Sequence, residues 1–99
     1  MDYFELETAV IAWAEDKGIF ENGTTIAQAI KTMEECVELC QAVNAGNRFE
    51  IKDALGDIMV TILIQAQMQG MSLEDCLESA YKVISKRSGK MVDGQFVKS

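Results

Sequence analysis

Five carboxylates carry the chemistry most open to the chain: Glu34, Glu35 and Glu38 in one stretch, Asp53 and Asp57 in the next. The first three span little more than one helical turn, where residues three and four apart are neighbours and like charges repel. Asp53 and Asp57 alternate with Val60 and Ile64 on one stripe, while Ile51, Leu55, Ile58 and Ile62 form the opposite stripe of the same helix. A helix apolar on two faces belongs inside a core or between subunits, and carboxylates on such a face are expensive to ionise without a cationic partner. No histidine is present, which removes imidazole triads and zinc-hydrolase sites. An all-oxygen set of acids suits a hard cation: Mg²⁺, with Mn²⁺ as a substitute, held by a few carboxylates together with waters and substrate phosphates. That pattern points to metal-assisted phosphate chemistry.

The acids need two helices to bring them together. Proline is absent, and glycines fall where helices should end. A first helix is expected from Asp2, with an Asp-x-x-Glu box to Glu5, up to Gly18. A second opens at the Thr25–Gln28 box and runs to about Asn44, before Gly46. A third opens at Asn47 and ends at Gly70; a fourth opens at Ser72 and ends before Gly89. Short connections predict an antiparallel four-helix bundle, followed by an arm or small hairpin over 90–99. On the second helix Ile26, Ile30, Met33, Val37 and Cys40 recur at spacings of four and three and read as its core seam. With that seam at 0° and ~100° per residue, Glu34 lies near 80°, Glu38 near 120° and Glu35 near 180°. Folding back at Gly46–Asn47 places the two acid clusters within ~4.5 Å of the same height at 1.5 Å per residue, on axes about 8–10 Å apart.

Composition bounds the rest. Ninety-nine residues, 48% apolar and 25% charged, make one globular domain. A chain of this length buries only ~65% of its unfolded surface, so a homodimer or homotetramer is expected. Nine Lys and Arg against sixteen Asp and Glu, a net charge of −7, argue against nucleic-acid binding. The sign is uneven: from residue 82 onward Lys82, Lys86, Arg87, Lys90 and Lys98 face one acid, Asp93. Lys82, Lys86 and Arg87, with Lys31 beside the acids, are candidates to contact phosphate. Three cysteines without a CxxC pair and no signal-like opening predict a cytoplasmic protein, and the run from Ile58 to Ala66 is too short to span a bilayer. Cys36, Cys40 and Trp13 read as core residues, as do Met59, Met68 and Met71.

The stretch Lys31-Thr-Met-Glu34-Glu35-Cys-Val-Glu38-Leu39, followed by Asp53-Ala-Leu-Gly56-Asp57, resembles the MazG-type nucleotide pyrophosphohydrolases, which carry Glu-Glu-x-x-Glu and then Glu-x-x-Asp on paired helices. The tail from Lys86 to Lys98 resembles the ending of phage-type members. The resemblance, over residues 25 to 98, implies an all-α fold, homo-oligomers, Mg²⁺ dependence, and hydrolysis of a nucleoside triphosphate to the monophosphate and pyrophosphate. It assigns Glu35, Glu38 and Asp57 as metal ligands and Glu34 as an acid that either orients water or adds a ligand. The chain departs from the pattern at Ala54, where a glutamate is usual; Asp53, four residues before Asp57, is the acid placed to substitute for it. The rival reading is a non-enzymatic acidic helical module that binds a partner protein or a divalent ion, with its acids on a solvated rim.

Overall fold

The computed structural model describes residues 1–99. Each main helix begins where a side chain can satisfy a free backbone amide. Asp2 accepts from the Glu5 amide and opens α1 (Tyr3–Asp16). Thr24, one residue before the expected cap, accepts from the Ala27 amide and opens α3 (Thr25–Ala45). Asn47 opens α4 (Arg48–Met68) by accepting from the Glu50 amide, and Ser72 opens α5 (Leu73–Ile84) by accepting from that of Asp75. A single turn, α2 (Ile19–Asn22), was not anticipated; it follows Gly18 between α1 and α3. After α5 the chain forms an antiparallel hairpin, β1 (Gly89–Val92) with β2 (Gln95–Lys98). Asp93 and Gly94 both have positive φ, the two-residue turn whose twist matches a hairpin. The Phe96 ring lies against Gly89, where a side chain would have no room. The fold is therefore mostly helical, as expected, with the C-terminal stretch resolved as a hairpin.

Gly46, at φ 66°, caps α3 in the left-handed conformation and turns the chain directly into α4. The two long helices pack along their length, α1 lies across α4, and α5 touches α4 only lightly. The face of α3 that meets α4 is not the apolar stripe. It carries Gln28, Thr32, Glu35, Leu39 and Ala42, each buried or half-buried, and lies roughly 160–240° around the helix from Ile26. Met33 is 68% exposed and Val37 56%, and Ile26, Ile30 and Cys40 are exposed with them. The expected core seam thus faces outward. A polar seam replaces it: Thr32 Oγ1 lies 2.9 Å from Thr61 Oγ1, Thr61 Oγ1 donates to the Ile58 carbonyl at 2.7 Å, and Gln28 Nε2 donates to the Thr61 carbonyl at 3.2 Å.

Further expectations are only partly met. Ile64, 3% exposed, is buried within its own chain, whereas Leu55 on the other stripe of α4 is 52% exposed. Cys36, Trp13 and Met71 are exposed, while Met59 and Met68 are half-buried. Eight of 99 residues are buried, and the radius of gyration, 15.7 Å, exceeds the ~13 Å of a compact 100-residue domain. No helix is long and apolar enough to cross a membrane.

Candidate metal centre

Because Glu35 sits on the inward face of α3, it meets Asp57 of α4 across the helix pair. Glu38, roughly 60° off and one turn further on, reaches the same point. Single carboxylate oxygens of Glu35, Glu38 and Asp57 all lie within 4.8 Å of one another. Glu35 is buried, Asp57 half-buried and Glu38 exposed. Thr32 and Thr61 stand within about a turn of Glu35 and Asp57, so the polar seam sets the register in which the acids converge.

The electrostatics are those of an acid cluster short of positive charge. The Glu38 carboxyl, as hydrogen-bonding partner and then as a like charge, raises the Glu35 pKa together with burial, against an opposing pull from Lys31. Burial raises that of Asp57, with the charges of Asp53 and Glu35 adding to it. Lys31 bridges Glu34 at 3.4 Å and Glu35 at 3.5 Å; Glu34, and Glu35 after it, raise the Lys31 pKa. Oε2 of Glu35 is buried and has no hydrogen-bond partner. A buried carboxylate oxygen left unsatisfied is costly, and a cation held jointly with Glu38 and Asp57 would satisfy it. The donor set, three carboxylates open to solvent on one side, fits a hard divalent ion that keeps some of its waters.

The other expected site residues are spread more widely. Asp53 lies outside the triad but lines the adjoining cavity of about 290 Å³ with Glu38, Gln41, Ala42, Glu50, Ala54 and Asp57. Ala54, 5% exposed, forms part of that wall where the resemblance would place a glutamate. Glu34, roughly 100° from Glu35 around α3, stays exposed and is tied to Lys31. Lys82 is paired with Glu78 at 3.2 Å. Lys86 and Arg87, in the turn after α5, are exposed and do not line the cavity. Glu50 was missed by the sequence reading, although its spacing of three from Asp53 and seven from Asp57 puts it on their face of α4.

Paired helices presenting three converging carboxylates define a candidate divalent-metal site of the MazG-like all-α kind. The phosphoribosyl-ATP pyrophosphohydrolase family model matches residues 14–82, and the chain belongs to that family, which lies within the MazG-like pyrophosphohydrolases. Over 66 residues the chain is 39% identical to an uncharacterized 18.2 kDa protein from the rep-hol intergenic region of Haemophilus phage HP1 (strain HP1c1). That match covers 67% of this chain and 40% of the phage protein. No solved structure matches the chain.

Proposed function

We propose that the protein hydrolyses a nucleoside triphosphate to the monophosphate and pyrophosphate with Mg²⁺ as its metal. The observation that carries this reading is buried Glu35, one oxygen of which lacks a hydrogen-bond partner, with a carboxylate oxygen within 4.8 Å of those of Glu38 and Asp57, in a chain of the phosphoribosyl-ATP pyrophosphohydrolase family. Glu35, Glu38 and Asp57 hold the ion, and Asp53 is the fourth acid at its edge. A bound divalent ion neutralises phosphate charge and makes water more acidic. In the cleavage, a water oxygen forms a bond to the α-phosphorus while the bond to the α,β-bridging oxygen breaks and pyrophosphate leaves. Glu34, at the rim and oriented by Lys31, takes the proton released from that water. Half-burial of Asp57 and burial of Glu35 favour this over a module whose acids all lie on a solvated rim. The exposed cysteines fit the reducing cytoplasm.

Phosphorus NMR of a panel of nucleoside triphosphates and phosphoribosyl-ATP, incubated with Mg²⁺, tests the proposal and sorts the substrates. Monophosphate with pyrophosphate is expected from at least one triphosphate. Orthophosphate release would refute α-attack, and cleavage of phosphoribosyl-ATP alone would move the substrate to the one in the family's description. Asp53→Asn should lower turnover markedly, and Asp53→Ala with Ala54→Glu should restore part of it. Wild-type kinetics in Asp53→Asn would remove Asp53 from the metal shell.

A further inference from the structure

Lys31 is the basic side chain set against the acids. Its ammonium lies 3.4 Å from Oε2 of Glu34 and 3.5 Å from Oε1 of Glu35, and no basic residue lines the adjoining cavity. Arg48 and Lys52 lie roughly 140–180° around α4 from Asp57, and Lys82 is taken up by Glu78. On the scale that puts Ile26 at 0°, Lys31 lies near 140°, between Glu38 near 120° and Glu35 near 180°. It stands about one turn before them, on the edge of α3 that they share. Its two partners differ. The Glu34 side chain is 60% exposed and that of Glu35 10%, so the ammonium links a rim carboxylate that water solvates to one that water barely reaches.

Glu35 is also a carboxylate that a divalent ion would claim. Mg²⁺ sits about 2.1 Å from a carboxylate oxygen, so an ion on Glu35 and an ammonium 3.5 Å from the same carboxylate are close enough to repel strongly. The two cations compete for one buried group, and Lys31 has another place to go. Its side chain is 55% exposed on a flexible four-carbon stem, and it keeps Glu34 within reach. A polyphosphate at this site needs cations besides a metal. We propose that Lys31 is an exchangeable cation: it competes with the divalent ion for Glu35, and on giving that carboxylate up it pivots on Glu34 to a phosphate oxygen of the substrate. This rests on the reading of the site given above. The exchange makes metal and phosphate favour each other's binding, because drawing Lys31 to phosphate frees Glu35 for the ion, and engaging Glu35 with the ion frees Lys31 for phosphate.

The test compares the wild type with Lys31→Met, which keeps an unbranched side chain of similar helix propensity without its charge, and with Lys31→Arg, which keeps the charge. Circular dichroism checks that all three are equally helical. Calorimetry at about pH 8, above the ordinary carboxylate range, gives affinities free of turnover. Lys31→Met should bind Mg²⁺ alone about tenfold more tightly, because a repelling charge is gone. It should bind inorganic pyrophosphate at saturating Mg²⁺ about tenfold more weakly, because a charged contact is lost. Lys31→Arg should stay near wild type in both, and an arginine variant that shifts as Lys31→Met does overturns the proposal. Opposite signs are the signature. A lysine that only holds the acids in place would lower both affinities when removed, and that result overturns the exchange, as does an unchanged affinity for either Mg²⁺ or pyrophosphate. A wild type that cleaves no triphosphate while the opposite shifts appear refutes the proposed reaction and leaves the exchange standing. A wild type that cleaves triphosphate without those shifts overturns the exchange alone. A wild type that binds no Mg²⁺ removes the metal site and the exchange with it.

Discussion

Residues 25–68 and residues 73–98 are both regular and both amphipathic, yet the first stretch contains seven of the eight buried residues and the second contains none. The helical hairpin α3–α4 is joined by a tight turn and tied by side-chain hydrogen bonds between residues 29 to 40 apart in sequence. The α5–β segment has only local bonds and an ion pair within one helix. Amphipathicity alone therefore does not say where a helix is buried. In the hairpin, polar groups that find partners across the interface hold the helices in register; in the C-terminal segment, apolar side chains such as Leu77, Tyr81 and Ile84 stay exposed.

The largest effect should separate the regions by chemistry. Asp57→Ala removes one of three converging carboxylates, and with several kcal/mol of charge stabilisation lost turnover should fall about 10³-fold or more, measured as pyrophosphate release; a loss under about tenfold would place the chemistry elsewhere. Next comes the metal. Mg²⁺ at about one hundred times its dissociation constant should stabilise the fold by ~2.7 kcal/mol, seen as a rise in melting temperature that Asp57→Ala abolishes.

The acids also set the sign of the pH dependence. Glu35 and Asp57 have raised pKa values in the fold, so the folded state holds their protons more tightly than the unfolded chain. Without metal, their contribution to stability is greatest below the ordinary carboxylate range and declines as pH rises through the raised folded values. Metal binding requires the ionised forms, so the Mg²⁺-induced rise should be large where both acids are ionised and vanish as falling pH protonates them. A rise independent of pH would dissociate these two acids from the metal.

A smaller effect probes the seam. Thr61→Val removes the hydroxyl lying between Thr32 and the Ile58 carbonyl and should lower stability by about 1–2 kcal/mol, with activity falling further than denaturant unfolding alone explains if the seam sets the acid register. The smallest belongs to the C-terminal segment. Lys82→Ala breaks an exposed i,i+4 pair with Glu78, and such pairs contribute about 0.3–0.5 kcal/mol; a large loss of pyrophosphate binding would instead join Lys82 to Lys86 and Arg87.

Helix ends were legible in the chain because capping is local: Asp2, Asn47 and Ser72 each accept from an amide three residues on, and Gly46 stops a helix wherever it lies in the fold. The spacing of Glu35, Glu38 and Asp57 was legible too, since helical pitch and a short turn limit where paired helices can bring side chains. Which face of α3 turns inward was decided by tertiary structure alone. That helix carries two stripes of equal periodicity, one apolar through Ile26, Ile30, Met33 and Val37 and one mixed through Gln28, Thr32, Glu35 and Ala42. Periodicity reveals both stripes, but not which surface each will meet. The mixed stripe goes against α4 because Thr61 and its neighbours supply the hydrogen-bond partners that its polar groups need once removed from water, whereas the apolar stripe needs no such partners and is left exposed.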